Sequence, residues 1–559
     1  MVGRMLRRIG LCSLLAAGCS ESSGPLAPCT AAAPLVNLTA GEYQSADPRP
    51  SGDFVLRAVR GAGCVAFAAN PSGSDIEYLL VPQAATGTPG DKSSFWLRGA
   101  TVAALAAPAV SAGPSPQLAP AARFHEFLRE SEQQLYLSNP PTIHPFTAPR
   151  VALAPPAVGD VGTFSVCSNL DCTSKATVTA TAKQVGAHIA IFVDNNDAPS
   201  GGLSDADLLS LRLKFDTLLY VRDTLAFGGE TDIDGNTVVI VLMTNAVNQL
   251  VSASDCTLTG FVAGYFYGAD LIFGQGNNGE IFYSIVADPL GTLSCAHSVA
   301  QVNSLVPVTF IHEFQHMISF GQHYLRRAGA PEVLWLNEGL SHFAEEMGGR
   351  RYLPDTATFC DFVNGDLHNA GQYFSAPQDH YLLATEGIGT LAERGAMWLF
   401  VRYLVDQYAA DQSLTAGDVV TRQLDQTTLT GAANVEHVTG RPFAETVTHW
   451  ALANYVSDLP GFTPPPELQY KVRKFRTDYP TLSARCPVPN NIPASFPLVP
   501  PVGPGSVVNV SDTLRAGSGK YFRALQSAGA IGFTLLFSDG QGFALPDALV
   551  PRLNVIRIK

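Results

Sequence analysis

The chain has 559 residues, of which 46% are hydrophobic and only 15% charged, against roughly 25% charged in an ordinary soluble domain. That length and apolar content allow several domains with ample core and exclude a disordered chain. A net charge of −13 excludes a nucleic-acid-binding surface, because phosphates would be repelled on most approaches, and no run of 18 apolar residues is present to span a membrane in the mature chain.

The amino terminus reads as an export signal. Arg4, Arg7 and Arg8 form a basic start, Ile9 to Ala17 a short apolar core, and Leu15-Ala16-Ala17-Gly18-Cys19 is similar to a bacterial lipobox. Residues 1–19 are therefore expected to be a signal peptide and 20–29 a polar tether, with Cys19 as a lipidated first residue. A plain secretory signal is the alternative. The membrane would be met only through the anchor at Cys19, placing the chain in the cell envelope (outer membrane or cell surface) or, otherwise, secreted. Cysteine usage agrees: of ten Cys, removing Cys12 and Cys19 leaves eight, an even number that suits an oxidising compartment. Nearest-neighbour pairing fits the layout: Cys29 with Cys64, Cys167 with Cys172, Cys256 with Cys295, Cys360 with Cys486.

Residues 30–105 alternate short apolar runs with turn residues, which predicts a small amino-terminal β-domain. Residues 106–160 form an Ala/Pro-rich connector with one helix from Ala121 to Tyr136. Its His125-Glu126 pair starts no metal motif, because position 129 is Arg, and it is set aside. The main domain spans 161–464. Thr177 to Ala182, His188 to Val193 and Val238 to Met243 read as strands, and Ser204 to Tyr220 as an amphipathic helix with Ser204 as its cap. Phe261 to Phe266 and Glu280 to Val286 supply further strands, one of them a candidate for the edge of a cleft. Asp232-Ile233-Asp234-Gly235-Asn236 alternates oxygens like the start of a calcium loop but lacks the later bidentate Glu, and Asp-Gly also makes tight turns; both readings stand. After the mid-chain motif the pattern is mostly helical. Residues 465–505 read as a Pro-rich linker and 506–559 as a carboxy-terminal β-domain.

The chemistry concentrates in His312-Glu313-Phe314-Gln315-His316. On a helix running from Leu305 to Phe320, with Pro307 at its start, the two imidazoles lie one turn apart on one face and reach a common ion. Glu313 points away from them by about a third of a turn, where a carboxylate takes a proton from water. Glu338 follows His316 by 22 positions (338 − 316), enough for a loop and a second antiparallel helix that delivers a third ligand.

The strings Thr309 to Ile318 and Trp335 to Glu346 resemble the gluzincin clan of zinc metallopeptidases, and within it the hyicolysin-type neutral zinc peptidases. Phe227 to Asn236 with the apolar run Val238 to Met243 resembles the upstream strand of that family, and Gly395 to Leu404 and Thr439 to Ala453 resemble its downstream helices, so the likeness covers roughly residues 160 to 460. The resemblance implies an α+β zincin catalytic domain: a mixed-sheet subdomain, then a mostly helical one, with a zinc cleft between and small β-sandwich-like domains at either side. It implies Zn2+ on His312, His316 and Glu338, Glu313 as general base, and a protein or peptide substrate. Two departures stand out. Thermolysin-like enzymes place an Asp four residues after the ligand Glu to orient the first His; here that residue is His342, which leaves Glu345 as the candidate for the task. The transition-state donor has no clear match, with Tyr381, His380 and Tyr373 as candidates. His323 does not fit a third-ligand spacing, since Ser319 and Gln322 break that pattern. The expected function is a zinc endopeptidase of the cell envelope. Its rival is a non-catalytic surface adhesin or substrate-binding lipoprotein on the same scaffold.

Overall fold

The computed structural model describes residues 35–47, 63–99, 119–139, 153–196, 200–385 and 390–559. The signal peptide, the tether, Cys19, Cys29 and residues 106–118 and 140–152 of the Ala/Pro-rich connector lie outside these. The protein is α+β, with three sheets and a large helical region. Among the described residues, no helix is long and apolar enough to cross a membrane.

The two terminal β-regions, expected as separate domains, are one sandwich. One sheet runs in the order Leu35–Val36, Cys64–Phe67, Phe533–Asp539, Lys92–Gly99, Asn509–Arg515. The other runs Val502–Pro504, Phe522–Gln526, Ile76–Ala84, Pro551–Arg557, Tyr43–Ala46. The reason is visible in Ile76–Ala84, which is buried at every position. Its alternating side chains serve two cores: Ile76, Tyr78 and Leu80 face the sandwich interior, while Leu79 and Val81 join the main core shared by the central sheet and the helices. Such a strand needs neighbours on both edges, and both of them, Phe522–Gln526 and Pro551–Arg557, come from the far end of the chain.

The central sheet has six strands in the order Gly264–Phe266, Ile281–Ser284, Val239–Met243, Ile189–Asp194, Lys175–Val185, Val161–Cys167. Three inner strands run parallel, while Gly264–Phe266 closes one edge antiparallel to its neighbour. The helix expected from Ser204 is capped as read: Ser204 and Asp207 bond each other's backbone N–H. It continues through a wider turn at Phe215–Leu219 into Tyr220–Phe227 and stops at Gly228, whose φ of 113° suits only glycine.

The motif helix is longer than its sequence suggested. It spans Val299–Phe320, opened by a reciprocal cap between Ser298 and Gln301, so Pro307 sits inside it and not at its start. Proline has no N–H for the carbonyl of Asn303 one turn back, and Lys214 Nζ reaches that oxygen at 3.5 Å. Helices Leu334–Arg350 and Thr356–Ser375 pack against it and each other, and Leu391–Tyr408 packs on both of these. The segment 465–505, expected as a linker, is packed structure: Tyr470, Phe475 and Tyr479 are buried, the last two on the helix Phe475–Arg485. Cys360 and Cys486 tie it to the helical region. The pairs Cys167–Cys172 and Cys256–Cys295 are also bonded as expected, and Cys64 is disulfide-bonded.

Candidate metal centre

His312 and His316 project from one face of the motif helix with their Nε2 atoms 3.2 Å apart. Glu338, on Leu334–Arg350, completes the triangle: its Oε2 lies 3.6 Å from His312 Nε2 and its Oε1 3.5 Å from His316 Nε2. Gly339 lets this second helix press against Leu391–Tyr408, since a Cβ there would lie 2.8 Å from the Met397 carbonyl oxygen. All three donor residues are buried.

Whether these groups fit a zinc ion is decided by their protons. His312 Nδ1 lies 2.7 Å from Glu345 Oε1. An ionised carboxylate only accepts, so Nδ1 carries a hydrogen and Nε2 is the nitrogen turned to the site. His316 Nδ1 is 3.0 Å from Asn337 Oδ1, another acceptor, with Ser341 Oγ also at 3.0 Å. Burial, with the charge of Arg129, pushes the His316 imidazole down to about 4, so it is neutral. Glu338 Oε2 has no hydrogen-bond partner among the described residues. Burial raises its carboxyl, but Arg394, then the hydrogen bond and charge of His316, hold it well below its ordinary range. With Ser341 Oγ 3.3 Å from His316 Nε2 and Arg394 Nε 3.8 Å from Glu338 Oε2, the two Nε2 atoms and the Glu338 carboxylate thus converge. Their 3.2–3.6 Å separations match the edge of about 3.4 Å of a tetrahedron with bonds of about 2.1 Å. The residues fit a divalent cation held by two nitrogens and a carboxylate.

Glu313 is buried beside this set. Its Oε2 accepts the Phe266 N–H of the edge strand at 3.1 Å, and its Oε1 lies 3.3 Å from His125 Nδ1. Burial raises its carboxyl, yet the hydrogen bond and charge of His125, with the charges of His316 and His312, hold it below its ordinary range.

His125 is the residue that sequence reasoning missed. It sits on the helix Pro120–Ser138, which lies against the edge strand: the Phe124 ring meets Tyr265 edge-on at 4.9 Å, and the Arg129 guanidinium lies over Phe266. A search for a second histidine ligand discards this helix. Its real signal is the polar stripe His125, Arg129, Glu132, at one-turn intervals beside buried Phe124 and Leu128.

The outer hydrogen bonds run further. His342 Nδ1 is 3.0 Å from both Glu345 Oε1 and Asp366 Oδ1. Burial opposes its protonation, but the charge of Glu345 and the hydrogen bond to Asp366 prevail and push it up to about 10. His342 thus supports Glu345, which orients His312 from one turn further along the same helix.

The three candidate transition-state donors have the following partners. The Tyr373 hydroxyl is 3.2 Å from Ser518 Oγ, His380 Nδ1 is 3.4 Å from Glu393 Oε1, and Tyr381 donates its N–H to the same Glu393 oxygen. Arg394, adjacent to Glu393, is the side chain from that region that reaches the site, with Nε 3.8 Å from Glu338 Oε2. His323 is buried and neutral, lowered to about 4 by burial and the Arg327 charge, and so is not a cation at a helix end. Comparison with protein-family models and with curated proteins found no match for the chain.

Proposed function

We propose that the chain is a zinc-dependent endopeptidase on a zincin-type scaffold, with His312, His316 and Glu338 as ligands and Glu313 as general base. One observation carries this reading: two buried imidazole Nε2 atoms 3.2 Å apart, with the buried Glu338 carboxylate within 3.6 Å of each and a second buried carboxylate, Glu313, beside them. Zinc, when bound, would supply Lewis-acid polarisation of the scissile carbonyl and lower the pKa of water. Glu313 takes the proton of the attacking water and delivers it to the departing amine. The Phe266 N–H and His125 keep its carboxyl ionised and aimed. Glu345 and Asn337 hold each imidazole in the tautomer that leaves Nε2 free. The bonded pairs Cys167–Cys172 and Cys256–Cys295 support export to the cell envelope or beyond it.

A second reading has one observation in its favour. The helix Pro120–Ser138 covers the edge strand along which an extended peptide would lie, and His125 engages Glu313. That arrangement suits a binder that retains the scaffold without turnover. Incubating the zinc-loaded protein with a diverse peptide pool, with and without chelator, separates the two. Chelator-sensitive cleavage supports the peptidase, and intact peptides at full zinc occupancy support the binder.

A further inference from the structure

A second cluster of acids lies in the loop between Tyr220–Phe227 and Val239–Met243. There Asp232 accepts the Thr237 N–H at 3.0 Å, and Asp234 accepts both the N–H and the side-chain amide of Asn236, at 3.0 and 2.8 Å. The tight turn expected of Asp-Gly is therefore formed. A third acid faces it from another element. Glu280, immediately before the strand Ile281–Ser284, is 1% exposed. Its Oε1 accepts from Thr231 Oγ1 at 2.7 Å and from the Ile233 N–H at 2.9 Å, while its Oε2 has no partner among the described residues. The chain passes so close that a Cβ on Gly279 would lie 3.1 Å from Asp234 Oδ2.

We propose that Asp232, Asp234 and Glu280 form a Ca2+ site, in which Glu280 supplies the carboxylate that the Asp232–Asn236 stretch lacks in its own sequence. Oxygens of the three side chains lie within 4.8 Å of one another, the span of two Ca–O bonds of about 2.4 Å. All donors are oxygen, which favours a hard cation over zinc. None of the three carboxylates is ion-paired with Lys or Arg among the described residues, and burial raises the Asp234 carboxyl and pushes that of Glu280 up to about 7, so an ion would have to displace a proton there. Thr231, bonded to Glu280, also packs on Gly321 just past the motif helix, where a Cβ would come within 2.9 Å of Thr231 Cγ2. The ion would thus fasten this loop to the central sheet and to the end of the motif helix. This inference is independent of the zinc reading.

The test uses the full chain, stripped with chelator, refilled with Zn2+ and then titrated with CaCl2. Bound calcium is measured by equilibrium dialysis and stability by the melting temperature. The wild type is expected to retain one Ca2+ and to melt higher by about 5 °C at saturating calcium. Glu280→Gln keeps an oxygen for Thr231 and Ile233, so it should lose both calcium responses, yet melt no lower than the calcium-free wild type. Asp232→Asn should weaken binding at least about tenfold. Zinc content, read in the same samples, should stay constant, which separates this site from the metal centre. A wild type that neither retains calcium nor melts higher with it overturns the proposal, as does a Glu280→Gln protein that responds like the wild type.

Discussion

The two acid-bearing clusters of this protein differ in how their donors are prepared. At His312, His316 and Glu338, the outer partners Glu345, Asn337 and Ser341 assign the protons, so the imidazole donors face inward in one fixed state. At Asp232, Asp234 and Glu280, backbone N–H groups hold the carboxylates, while one buried oxygen is left with no partner. A buried orphan acceptor costs about 1–3 kcal/mol, and more when charged. Each cluster keeps one such oxygen, Glu338 Oε2 in the first and Glu280 Oε2 in the second, so the difference lies in the imidazoles, whose outer hydrogen bonds orient them. Mixed nitrogen and oxygen donors select zinc; oxygen alone selects calcium.

Four substitutions sharpen or break that contrast, taken from the largest effect to the smallest. Glu313→Gln should keep zinc and lower peptide hydrolysis roughly 10²–10⁴-fold, because the base is lost while the ligands remain. Undiminished turnover would remove Glu313 from the chemistry. Glu338→Ala should lower zinc occupancy after dialysis by more than about 100-fold in affinity, since it removes a ligand outright and not merely an outer hydrogen bond. Full occupancy in metal analysis would reassign the third ligand. Glu345→Ala should weaken zinc about 10–100-fold by freeing the His312 ring, with calcium retention untouched. Equal loss of both ions would mean that the two clusters are not separate.

The smallest effect is a shift in pH dependence. The hydrogen bond and charge of His125 help to hold the Glu313 carboxyl low against its burial. His125→Ala therefore raises that pKa, and the base is protonated at a higher pH than before. The acid limb of the kcat/KM profile should move up by about one pH unit, with activity lost at the low end and kept at the high end. An unmoved limb would reduce His125 to a packing residue.

How much of this was legible depends on sequence distance. The pair His312 and His316 with Glu313 is set by one helix period, and any helix there would present it. The Ser204 cap and the inner strands are equally local, because propensity and alternation act over a few residues. Glu345 was within reach because His342 broke a known pattern on the same helix. The polar stripe of His125, Arg129 and Glu132 was present in the sequence but had no meaning until the helix met Phe266. Pro307 misled, because proline suits a helix start, and only the approach of Lys214 shows how its interior place is tolerated.

The linear chain alone determined the spacing of the two histidines, the general shape of an α+β protein, and the cysteine pairs that neighbour each other in order. Tertiary structure decided the rest. It joined strands from both ends into one sandwich, brought His125 to Glu313, and set Glu280 opposite Asp232 and Asp234. The physical reason is that burial and charge balance are satisfied between surfaces, and which surfaces meet is a property of the packed chain.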